Sequence, residues 1–182
     1  MSEPVPEVVE SNRRLSTHLF DIVTDTLRYP DGHSAERTIV EHPGAVAIVP
    51  VDAQGRWLLV RQYRHPVRGE LLEVPAGTRE AEEAPEVTAA RELREETGFA
   101  ADSLVRIGGA WSAPGFLTEY IHYFLATGLR HDPLPQDDDE NIGDPVAMTY
   151  DEVLAAIDGG EIEDAKTIVA AMLWQRRQTE GE

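Results

Sequence analysis

Residues 77–99 read GTREAEEAPEVTAARELREETGF, with seven glutamates in 23 residues, a glycine at the head and another just before the end. Pro85 suits the first turn of a helix and Gly98 its stop, so the spacing predicts a helix over 85–97. On such a helix Glu92 and Glu96 share one face a turn apart, Glu95 sits beside that line, and Arg91 lies one turn before Glu95. Val87, Ala90 and Leu93 can line a buried face. Like charges at this spacing repel one another, so the stretch needs compensation. Three readings are open: a solvated acidic face, an ordinary Arg91–Glu95 ion pair, or a site for hard divalent cations, which paired carboxylates suit. Helix spacing alone does not choose among them.

Outward from this stretch the pattern changes period. Upstream, residues 17–29, 36–42, 44–51 and 56–64 are rich in Val, Ile, Leu and aromatics broken by Gly, Pro and Asp, and read as strands. Residues 52–55, DAQG, are a hairpin turn between the last two, and ELLEVPAG (70–77) is a short strand running into a glycine. Downstream, strands return at 103–111 and 119–127. Thr149 and Glu152 have capping-box spacing before a helix that Gly159 and Gly160 end. A last helix follows in DAKTIVAAMLWQRR, with Ile168, Val169, Met172 and Leu173 as its apolar stripe. The order implies a mixed α/β (α+β) chain, a mixed sheet covered by helices on both faces. Residues 1–15 read as a loose segment, 16–42 as an N-terminal β segment, 43–177 as the main domain and 178–182 as a tail.

Length and charge narrow the function. The chain has 182 residues, enough for one full core, and no cysteine, which excludes disulfides and thiolate metal sites. No apolar run is long enough to span a bilayer and no signal-peptide core opens the chain, so a cytoplasmic protein without membrane partners is expected. A net charge of −18 argues against nucleic acid. A small anionic substrate stays open, because a bound cation inverts the local sign.

The whole stretch decides among the three readings. Gly77, Glu83, Arg91-Glu92-Leu93, Glu95-Glu96, Gly98 and the apolar Phe99 stand at the spacing of the Nudix box, and the chain resembles Nudix hydrolases over residues 16–175. The resemblance implies an α/β/α sandwich around a mixed sheet and cleavage of a diphosphate joining a nucleoside to another group, by metal-activated water. It makes Glu92 and Glu96 the principal ligands of Mg²⁺ (or Mn²⁺), with Glu95 and Glu83 close by, and has Arg91 orient the carboxylates. Gly77 permits the turn, Gly98 ends the helix, and Ala76 offers its carbonyl to the metal.

The flanks are similar to ADP-ribose pyrophosphatases in particular. In RQYRHPV (61–67) the arginine of a Q-x-R element is Arg64, implied to contact phosphate, and Arg61, His65 and Arg68 cluster near it in sequence. Pro114 lies 15 residues past Phe99, within SAPGFLTE, where Glu119 is implied to reach the sugar. In PQDDDENIGDPVAM the resemblance aligns Glu140 with the catalytic base, Asp139 and Asp138 being alternatives. In ERTIVEH (36–42) Arg37 is implied to bind substrate across a homodimer interface built by the N-terminal β segment. An aromatic on the adenine is expected among Phe20, Tyr29 and Phe116. The implied reaction is ADP-ribose to AMP and ribose 5-phosphate, with GDP-mannose or ADP-glucose as alternative substrates and a non-catalytic binding module as the alternative of another class.

Overall fold

Strand β4 (Ala45–Pro50) is buried along its whole length, and its two faces belong to different cores. Side chains of a strand alternate between faces. Ala45, Ala47 and Val49 accordingly join one cluster, with Trp57, Leu59, Leu72, Tyr123, Val153, Ile162, Ala170 and Ala171. Val46 and Ile48 join the other, with Ala89, Leu93, Phe124 and Ala126. A strand buried on both faces needs a layer on each side, and the helices supply them. The computed structural model describes residues 5–80, 82–136 and 142–180, and they form two compact units.

The larger unit comprises Ala45–Ala110 and Ile121–Glu182. Its four-stranded sheet runs in the order β7 (Ala76–Thr78), β4, β9 (Tyr120–His131), β8 (Phe99–Trp111). β4 pairs antiparallel with β7 and parallel with β9, so the sheet is mixed. A second sheet orders β10 (Val146–Met148), β5 (Trp57–Arg64) and β6 (Gly69–Glu73), all antiparallel neighbours. Helix α1 (Pro85–Thr97) covers the Val46 face. Helices α2 (Tyr150–Asp158) and α3 (Ala165–Glu180) supply Val153, Ala156, Ala170 and Ala171 to the opposite one. This is the expected α/β/α sandwich around a mixed sheet.

The smaller unit, Met1–Gly44 with Trp111–Tyr120, is built on an antiparallel sheet β1 (Glu7–Ser16), β2 (Asp21–Arg28), β3 (Ser34–Glu41). β1 corrects the expectation of a loose segment over 1–15: it pairs with β2 from Glu7↔Arg28 to Ser16↔Asp21. Its weak apolar pattern hid it, since nearly every side chain is exposed and backbone pairing to β2 holds it.

Two helix faces also differ from expectation. On α1, Leu93 is buried but Val87 is 55% exposed and Ala90 is also exposed. The inward face carries Thr88, Ala89, Glu92, Leu93, Glu96 and Thr97 instead. On α3, Met172 is exposed, and the small Ala170 and Ala171 meet the core with Val169 and Leu173 at its margin. Gly108 explains the close approach there, for a Cβ on it would stand 2.8 Å from both Leu173 methyls.

Local signals set the helix ends. α1 begins at Pro85 and ends at Gly98, whose φ of 75° lies in the left-handed region and whose N–H reaches the Arg94 carbonyl. α2 has its capping box: the Thr149 hydroxyl accepts from Glu152 N–H, and Glu152 Oε2 accepts from Thr149 N–H at 2.7 Å.

Candidate active site

The inward face of α1 brings two carboxylates under the sheet. Glu92 is 6% exposed and Glu96 2%, although both are charged side chains. A buried carboxylate is costly unless charge or hydrogen bonds meet it. The strand–turn running into the helix supplies part of the answer. Ala76 N–H, on β7, donates to Glu96 Oε2 at 3.2 Å. Gly77 lies against Glu92, and a Cβ at that position would fall onto the Glu92 carboxyl group. The glycine is thus needed for space rather than for a turn of unusual φ.

Arg91 supplies a further part for Glu92. Its Nη1 lies 2.8 Å from both Glu92 Oε1 and Glu95 Oε2, and its Nη2 is 3.6 Å from Glu83 Oε2. Burial works against the charged guanidinium, but Glu92, Glu95 and Glu83 outweigh it and hold its pKa above the ordinary arginine value. Glu83 is fixed from a second side by the Thr88 hydroxyl at 2.8 Å. Partial burial opposes its ionisation, yet Thr88 and Arg91 leave its pKa below the usual glutamate value. The loop before the helix is fastened by Arg79, whose Nε and Nη2 donate to the Glu83 carbonyl at 3.2 and 2.5 Å. The Arg91–Glu95 pair expected from the spacing is present, as one arm of a wider bridge.

The one guanidinium of Arg91 is shared among three carboxylates, those of Glu83, Glu92 and Glu95, and Glu96 lies on the helix face of Glu92. Among the described residues no three His, Asp or Glu side chains form a cation cage by themselves. Even so, the donor set suits a hard divalent cation. It consists of oxygens, two of its carboxylates are buried on one helix face, and Gly77 leaves the space in which Glu92 sits.

Arg64 ends β5 in the same unit and is already gripped. Its Nε and Nη2 donate to the two oxygens of Glu73, at 2.9 and 2.6 Å. Burial disfavours its charge, but Glu73 foremost, then Glu96 and Asp164, keep its pKa raised. Arg61, three residues earlier on the strand, faces the other way and pairs with Glu161 at 2.9 Å. The basic cluster expected from RQYRHPV therefore does not converge as a whole. Sequence reading passed over Glu73, Arg64's carboxylate partner, and Lys166, which meets the same carboxylate from α3. The available signal was an acidic residue set between Leu72 and Val74 in ELLEV (70–74).

Two other expected residues, Arg37 and Glu119, belong to the smaller unit. Arg37, on β3 of the smaller unit, donates to the Glu36 carbonyl at 2.9 Å and to the Tyr29 hydroxyl at 3.3 Å. Tyr29 stacks on His33 with ring centroids 4.2 Å apart. Glu119, also in that unit, lies 3.7 Å from His42 Nδ1. Glu140, with Asp138 and Asp139, lies outside the described residues.

The sequence and the fold are similar to those of known proteins. The profile of the NUDIX domain matches residues 41–171. The chain is 34% identical over 174 residues to the ADP-ribose pyrophosphatase of Bacillus subtilis (strain 168), covering 94% of each chain. It is 32% identical over 180 residues to the GDP-mannose pyrophosphatase of Yersinia enterocolitica, covering 92% of this chain and 89% of that one. In fold it is similar to the crystal structure of an ADP compounds hydrolase, with a TM-score of 0.87, 21% identity and coverage of 100% of this chain and 98% of the other. With that profile spanning most of its length and Glu92, Leu93 and Glu96 of the box on the inward face of α1, the chain belongs to the NUDIX family.

Proposed function

We propose that this Nudix pyrophosphatase hydrolyses ADP-ribose to AMP and ribose 5-phosphate with the help of Mg²⁺ or another divalent cation. Its homologues support hydrolysis of nucleoside diphosphate sugars as a class. The finer choice of ADP-ribose rests on the Bacillus subtilis relative and on the Arg64 and Pro114 flanks. The observation that carries the chemistry is the pair of buried carboxylates, Glu92 and Glu96, set against Gly77 and Ala76.

In this reading Glu92, Glu96 and the Ala76 carbonyl hold the cation, and Arg91 keeps the flanking carboxylates aligned. A divalent cation bound there would shield the diphosphate's negative oxygens and lower the pKa of water. Arg64 binds a phosphate oxygen through its outer edge. Glu140 accepts the proton of the attacking water. Arg37 and Glu119 contact the remainder of the substrate. The exposed Val8, Val9 and Leu15 of β1 favour a homodimer formed through the N-terminal sheet. No described helix is long and apolar enough to cross a membrane, and a cytoplasmic location is part of the proposal.

The Yersinia relative supports GDP-mannose as a second substrate. A binding module is disfavoured because every box carboxylate is retained. The test is phosphate release through a coupled phosphatase from ADP-ribose, GDP-mannose, ADP-glucose, NADH and diadenosine polyphosphates, with and without Mg²⁺. Cation-dependent preference for ADP-ribose is expected. Preference for another sugar nucleotide would overturn the substrate, and no hydrolysis by folded protein would overturn the enzyme.

A further inference from the structure

We infer that Glu73 and Lys166 are positioning residues for Arg64, holding its guanidinium by one edge so that the other faces substrate. The inference rests on the reading of Arg64 as a phosphate contact. Glu73 closes β6 and is 1% exposed, so a lone charge there would be strongly disfavoured. It is met from two sides. Arg64 from β5 makes the two-bond fork, and Lys166, in the first turn of α3, donates to the same Oε2 that Arg64 Nη2 uses. Asp164 in turn accepts from Lys166 at 2.9 Å. Its other oxygen accepts from Thr167 N–H at 2.9 Å and from the Thr167 hydroxyl at 2.6 Å. That hydroxyl accepts from Val74 N–H at 2.9 Å, which returns the chain of bonds to the residue after Glu73. The charges alternate from Arg64 to Asp164 and cancel.

Such a closed, neutral network fixes a rotamer-rich side chain before any ligand arrives, which lowers the ordering cost of binding. Arg64 remains 35% exposed, and its Nη1 hydrogen-bonds to no described residue. An edge-on grip of this kind leaves donors for a phosphate oxygen. Without Glu73, the guanidinium would be left to the attraction of Glu96 and Asp164 and would lose its two-bond fork. A network that only pinned α3 to the sheet would need neither the two-point fork nor a partly exposed arginine at its end.

The test is a double-variant cycle of Glu73→Gln and Arg64→Ala, reading KM, kcat and melting temperature with the preferred nucleotide sugar and saturating Mg²⁺. A glutamine can accept only one of the two guanidinium bonds. Glu73→Gln is expected to raise KM about tenfold, the order of one charge-assisted hydrogen bond, with kcat much less affected. In the Arg64→Ala background it should raise KM no further. A wild-type KM in folded Glu73→Gln, or effects that multiply in the double variant, would overturn the positioning role. A wild-type KM in Arg64→Ala would instead overturn the phosphate contact itself. Should Glu73→Gln fail to fold, Glu73→Asp keeps the charge but draws it back, and the same KM rise and the same lack of additivity are expected.

Discussion

Gly77 stands so close to Glu92 that a single methyl on the glycine would occupy the position of the Glu92 carboxyl group. Gly77→Ala should therefore push Glu92 out of line or force β7 away from α1. The steric cost is about 1–3 kcal/mol in stability. The expected outcome is a folded protein with kcat reduced at least about tenfold, as misplacement of a catalytic group by an ångström can do. Circular dichroism and steady-state turnover check it, and near-normal turnover would show that Glu92 need not sit where it does.

Glu96→Gln keeps the shape of a nearly buried side chain and removes its charge. If Glu96 is a cation ligand, turnover falls by about two orders of magnitude or more. The rise in melting temperature on adding Mg²⁺ should shrink in parallel. Unchanged turnover together with an unchanged Mg²⁺ response would remove Glu96 from the site.

Arg91 bridges Glu83, Glu92 and Glu95. Arg91→Ala leaves those carboxylates facing one another and should cost about 2 kcal/mol of stability. Arg91→Lys should recover only part, because an ammonium lacks the planar fork that spans several partners. Divalent cations should restore more stability to these variants than they add to the wild type, an effect readable by thermal melts over a Mg²⁺ series.

Glu83 sets a pH dependence. Burial opposes its ionisation, but Thr88, Arg91 and the Glu80 backbone together hold its folded pKa below the ordinary value of 4.5. A group depressed on folding stabilises the protein fully above its unfolded value and loses that contribution as pH falls through the folded one. Stability should therefore decline below about pH 4.5, and Glu83→Gln should make the decline shallower. Denaturant melts from pH 3 to 7 would measure both slopes, and parallel slopes would exclude Glu83 as a contributor.

Glu140→Gln tests the proton acceptor. The expected result is a fall in kcat of about two orders of magnitude with KM less affected. An unchanged kcat would pass the role to Asp139, Asp138 or another group.

What residues 77–99 determined by themselves were the features that depend on neighbours within one helical turn. Pro85 and Gly98 bounded the helix because one lacks an N–H and the other tolerates positive φ. The four-residue spacing put Glu92 and Glu96 on a common face, and the Thr149–Glu152 box opened α2 in the same local way. Together with the motif spacing, these features made the family legible. Tertiary structure decided which face turned inward. An apolar count chose Val87 and Ala90, but Gly77 and the Ala76 N–H on β7 make room for carboxylates, so Glu92 and Glu96 are buried and Val87 is exposed. The pairing of β1 depends on backbone bonds to β2 that its polar side chains do not announce. The grip on Arg64 joins residues 64, 73 and 166 across two strands and a helix. No local period brings such groups together, because burial and charge pairing are properties of packed neighbours rather than of sequence distance.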